Sequence, residues 1–133
     1  MPRPRLPRPF SSAKVFGAQI HLLHVYDIPD LSTSYGLIFP NQVADGIREA
    51  ADRKLDEWKK RATAEGVEAS SHLEFGSPER VIVHYAQEAK MDLIVMATRG
   101  LGAIEHILLG SVAERTMRTA TCPVLTIRAN PTT

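Results

Sequence analysis

The residues best suited to chemistry lie together in Met96-Ala-Thr-Arg-Gly100-Leu-Gly-Ala-Ile-Glu-His-Ile-Leu-Leu-Gly110-Ser111. Gly100 and Gly110 lack a Cβ, so their backbone N–H groups can approach phosphate oxygens closely. Ser111 adds a hydroxyl, and a helix beginning there adds the partial positive charge of its N-terminus. The residues alone allow two readings. In one the glycines cradle a phosphate; in the other they only make turns and Ser111 caps its helix.

Other side chains carry weaker signals. Arg99 could add positive charge to such a cradle, although an exposed loop arginine is the simpler reading. His21 and His24 are three apart on a strand-like run, so they face opposite sides and do not share a metal. His72, His84 and His106 show no ligand-type spacing. Cys122, the single cysteine, has no evident partner base and reads as a structural thiol. Ser111 has no Gly-x-Ser-x-Gly setting, and the chain has no Gly-x4-Gly-Lys-Ser/Thr loop. Asp52, Asp56 and Glu57 read as a solvated helix face. Trp58 and Tyr85 read as core or interface residues.

The elements that must position the glycine stretch are legible from hydrophobic spacing. Ala18 to Tyr26 is short, largely apolar and bounded by Gly17 and Pro29, as expected of a strand buried on both faces. Residues 27–40 read as a long loop. From Asn41 to Glu65, Val43, Ile47, Ala50, Ala51, Leu55, Trp58 and Ala62 recur at helical steps, with Gly66 as the stop. Val67 to Phe75 is the next strand. Ser77 and Pro78 suit a helix start whose buried face is Val81, Ile82, Tyr85, Ala86 and Ala89. Asp92 to Ala97 is a short apolar strand, Ser111 to Thr119 a helix, and Pro123 to Arg128 the last strand. This alternation predicts an α/β fold with an open parallel sheet and helices on both faces. In such sheets ligands sit outside the carboxyl ends of the strands, where the glycine stretch begins.

Length and charge set outer bounds. A chain of 133 residues suits one domain. Its first ten residues hold four prolines and three arginines, which reads as an extended or disordered arm, with a short helix from Ser11 or Ser12 to Phe16. Lys plus Arg number 16 and Asp plus Glu 15. Without Arg3, Arg5 and Arg8 the balance becomes 13 against 15, so the body is mildly acidic and argues against nucleic acid as a partner. No run approaches the ~18 apolar residues of a membrane span. One cysteine and no apolar leader after the arginines fit a reducing, cytoplasmic setting.

The stretch Ala97-x2-Gly100-x9-Gly110-Ser111 resembles the universal stress protein signature Gly-x2-Gly-x9-Gly-Ser/Thr. The resemblance continues in Val112-Ala113-Glu114-Arg115, Cys122-Pro123-Val124-Leu125, Phe16-Gly-Ala-Gln-Ile-His-Leu-Leu-His-Val25 and Gly76-Ser-Pro78. It implies a Rossmann-like, adenine-nucleotide α-hydrolase-like fold. It divides the chain into an arm with a helix remnant, residues 1–15, and a universal stress protein domain, residues 16–133. Two departures stand out. Ala97 replaces the first glycine, which sets a methyl group near ribose or phosphate. The family's opening strand, with its base-contacting aspartate, has no match, so the first strand, in the middle of the family's sheet, is missing or altered.

The resemblance implies a stress-response protein that binds ATP, with Mg²⁺, or a related adenine nucleotide. Val25 would pack near the base; Met96 and Ala97 would line base and ribose; Gly100, Gly110, Ser111 and Val112 would meet the phosphates, with Arg99 as an added charge. It also implies a homodimer through the last strand, Val124, Leu125, Thr126 and Ile127. The alternative is a dimeric interaction module that binds no nucleotide. No general base or metal carboxylate is placed to activate water, so the expected role is not enzymatic beyond slow ATP hydrolysis.

Overall fold

The computed structural model describes residues 8–26, 41–98 and 109–128. These fall into two compact units that divide between Phe75 and Gly76.

The first unit runs α1 (Arg8–Phe16), β1 (Ile20–Tyr26), α2 (Asn41–Ala64) and β2 (Ala69–Phe75). Ala51, Leu55, Trp58 and Ala62 recur at helical spacing, and Ala51, Leu55 and Ala62 are buried. The core of the unit is Phe10, Ala13, Ala62 and Val67, with Ile20, Leu22, Trp58 and Ala69 packed against it. Phe10 is 2% exposed and meets Trp58 edge to face, ring centres 6.0 Å apart. Residues 8–10, expected in an extended arm, are therefore helical. Pro9 is tolerated because it sits in the first turn, and the burial of Phe10 contributes about 2–3 kcal/mol. The arm's remaining residues, 1–7, and the expected loop 27–40 lie outside the described residues.

Both helix ends expected at glycine are found there. Gly17 and Gly66 adopt φ of 61° and 75°, a left-handed conformation that costs glycine little. The next amides then reach back, Ala18 N–H to Ala13 O at 2.8 Å and Val67 N–H to Ala62 O at 2.9 Å, closing each helix and turning the chain into a strand. β1 and β2 pair in parallel from Ile20↔Ala69 to Tyr26↔Phe75.

The second unit runs α3 (Pro78–Glu88), β3 (Ile94–Ala97), α4 (Ser111–Thr119) and β4 (Val124–Ile127). β3 and β4 are again parallel, from Ile94↔Val124 to Ala97↔Ile127. The four strands expected from the sequence are thus present within two residues of their expected bounds, each paired in parallel. α3 packs on α4. The helices bury small residues, Ala86, Ala113 and Thr116. Thr116 is fully buried, and its hydroxyl donates to Val112 O at 2.7 Å, satisfying the one polar atom it takes out of water.

Ser77 stands before α3 with Pro78 in its first turn, as expected, but its hydroxyl does not cap the helix. It bonds Glu79 instead. The Glu79 carboxyl is held below its ordinary range by its own backbone N–H, by the Ser77 hydroxyl and by Arg115, 3.4 Å away.

Candidate functional site at the end of β3

β3 ends at Ala97, and the chain turns at Thr98. The Thr98 N–H donates to Ile127 O at 2.9 Å, anchoring the turn to the end of β4. Its carbonyl accepts from Gly110 N–H, anchoring the start of α4 to the same point. The strand's carboxyl end and the helix N-terminus therefore meet at Thr98, although eleven residues separate Thr98 from Gly110 in sequence.

Gly110, not Ser111, is the residue that precedes α4. It has φ −71° and ψ 161°, extended backbone open to any residue. Glycine at this place is thus not required by the backbone angles of the turn. Ser111 is the first helical residue and exposed, so of the two readings the one in which it caps the helix does not hold. Among the described residues no side chain caps α4. The first amides of a helix have no partner within it, and among the described residues none bonds those of Ser111 and Val112. The Gly110 amide is already used by Thr98. Glu114 adds negative charge one turn in, partly offset by its pairing with Arg118.

Of the sequence-derived site residues, Met96, Ala97, Gly110, Ser111 and Val112 belong to this junction of β3, β4 and α4. Ala97 is exposed and Met96 half-buried. Arg99 and Gly100 lie outside the described residues. Val25 is the second-last residue of β1, half-buried in the first unit. Thr98 was missed. Its Oγ1 is buried without a hydrogen-bond partner among the described residues. Such an atom costs about 1–3 kcal/mol until something bonds it. Only its place between Ala97 and Gly100 in the signature stretch pointed to it beforehand.

Clefts also occur elsewhere among the described residues. One, of about 220 Å³, lies between β1 and α2 and is lined by Leu22, His24, Lys54 and Trp58. Another, of about 370 Å³, lies between α3 and α4 beside the Glu79–Arg115 pair. His21 and His72, treated separately in sequence, come together across β1 and β2 with rings stacked 5.3 Å apart. Among the described residues no group of three or more His, Cys, Asp or Glu could hold a metal ion, and no helix is long and apolar enough to cross a membrane.

Comparison with known proteins extends these observations. The model of the universal stress protein family matches residues 8–128. Universal stress protein MJ0531 of Methanocaldococcus jannaschii is 37% identical over 119 residues, covering 87% of this chain and 68% of the relative. The solved structure of hypothetical protein MJ0577 has a TM-score of 0.77 at 27% identity, covering 92% of this chain and 87% of that one. A universal stress protein solved in complex with cAMP has a TM-score of 0.62 at 27% identity, covering 92% of this chain and 83% of that one. The architecture is the open, Rossmann-like α/β fold that the sequence implied.

Proposed function

We propose that this chain, which belongs to the universal stress protein family, binds an adenine nucleotide at the junction of β3 and α4 and works as a dimeric stress-response module. The carrying observation is the bond from Gly110 N–H to Thr98 O, which holds an uncapped helix N-terminus at the carboxyl end of a strand. Phosphate oxygens would accept from the Ser111 and Val112 amides and from the Ser111 hydroxyl. Such charge-assisted bonds are among the stronger ones. The strand end, Met96 and Ala97, would take the ribose and base, and Gly100 and Arg99 complete the set on sequence grounds. The family member solved with cAMP supports the ligand class. A Mg²⁺ ion would travel with the phosphates of ATP, neutralising their charge, because the described residues bring no carboxylate cluster to this junction. The role is binding, with hydrolysis at most slow, since no described residue of this junction is placed as a general base. This setting is cytoplasmic, in keeping with a single unpaired cysteine.

Ala97 favours a second reading, a dimeric interaction module without nucleotide, because its methyl group occupies the place of the signature's first glycine. Calorimetric titration of the full chain with ATP, AMP and cAMP, with and without Mg²⁺, separates the two. The proposal expects saturable binding that Gly110→Val weakens at least tenfold. Valine adopts the extended backbone of Gly110 without strain, and a circular dichroism spectrum matching wild type checks that the variant folds. No binding by wild type gives the second reading the lead. Binding that Gly110→Val leaves unchanged places the phosphates elsewhere.

A further inference from the structure

Side chains alternate across a parallel pair, so one face of β1 carries His21, Leu23 and Val25, and the same face of β2 carries Ser70, His72 and Glu74. Ile20 and Leu22 point the other way, into the core that α1 and α2 cover. The imidazole rings of His21 and His72 stack with centres 5.3 Å apart and planes 22° from parallel. The Ser70 hydroxyl lies 3.0 Å from His72 Nε2. Two imidazoles stack readily when at most one is charged. Two cations at this separation repel, and the repulsion acts between the two strands of one ladder.

We propose that His21 and His72 form a proton-sensitive clasp across β1 and β2, which weakens this strand pair when both rings become charged. The surroundings set its direction. Burial holds His72 below its ordinary value of 6.5, and the charge of His21 pushes the same way. Glu74 opposes both but does not overcome them. On the other face, α2 brings Lys54 to the cleft that contains His24, and α1 brings Phe10 and Ala13. A ring that resists protonation in the folded state favours folding fully above 6.5. That contribution is lost as pH falls from 6.5 through the lowered folded value. The clasp therefore holds at neutral pH and loosens under acid.

The test follows the imidazole resonances of the full chain by NMR from pH 8 to 4.5, and the urea midpoint at pH 7.5 and 5.0. Wild type, His21→Gln and His72→Gln are compared. In wild type, His72 titrates below 6.5 and the urea midpoint falls on acidification. In His21→Gln the His72 titration moves up, and in each variant the acid-induced fall is smaller than in wild type. Either variant decides the matter alone should the other not fold. An unmoved His72 titration in His21→Gln, or an acid-induced fall as large in the variants as in wild type, overturns the proposal.

Discussion

Thr98 concentrates the logic of the candidate site in one residue. Both of its backbone groups are used, one toward β4 and one toward α4, while its hydroxyl is buried without a partner. A fold that keeps such an atom gives up stability at that place. Thr98→Val keeps the shape and removes the orphan. The variant is expected to be about 1 kcal/mol more stable than wild type in urea unfolding. A loss of stability would mean that the hydroxyl already has a partner. The signature glycines drew attention to Gly100 and Gly110 because their chemistry is visible in the residue type. Thr98 carried no such mark: its importance comes from two hydrogen bonds to residues 12 and 29 positions away, which spacing cannot reveal.

At the scale of elements, helix ends show where sequence reasoning succeeds and fails. Gly17 and Gly66 announce their stops, because a left-handed residue is cheap only for glycine. The end of α3 is different. Lys90 takes φ 52° so that Met91 N–H can reach Ala86 O at 2.9 Å, a closure with no glycine to advertise it. The start of α3 is also built unexpectedly, with Glu79 rather than Ser77 bonding a backbone N–H. This has a pH consequence. The Glu79 carboxyl sits below its ordinary 4.5 through its own N–H, Ser77 and Arg115. Its contribution is thus complete above about pH 4.5 and fades as pH falls through the lowered folded value. Glu79→Gln should lower the urea midpoint at pH 7, and the gap from wild type should close toward pH 3. A gap that stays constant with pH would show that the charge of Glu79 contributes nothing. β1, β3 and β4 were legible because each is a short, largely apolar run between turn signals, and β2, ASSHLEF, because it lies between the Gly66 helix stop and the Gly76-Ser77-Pro78 helix start. Their parallel pairing followed from the intervening helices. The His21–His72 stack was not legible, since it depends on the register that sets Leu23 opposite His72.

At the scale of the whole molecule, the proposed dimer rests on β4. Among the described residues β4 has one neighbour, β3. Ile94 N–H donates to Pro123 O at 3.0 Å and Thr98 N–H to Ile127 O at 2.9 Å. Backbone groups alternate in direction along a strand, so those of Val124 and Thr126 point away from β3. An apolar, uncharged edge of this kind tends to pair with another strand. In a two-fold dimer the same edge is used by both subunits, so one substitution acts twice. Thr126→Pro removes the outward N–H without taking a donor from the β3 ladder, a place where an edge strand tolerates proline. Each lost bond is worth about 0.5–1.5 kcal/mol net, and two are lost per dimer. Association should weaken by roughly 5- to 150-fold. Light scattering across a micromolar concentration series should therefore show wild type as a dimer and Thr126→Pro shifted toward monomer, with the same circular dichroism spectrum. A monomeric wild type at these concentrations would remove the dimer from the proposed function. A dimer that Thr126→Pro leaves equally tight would place its interface on another surface.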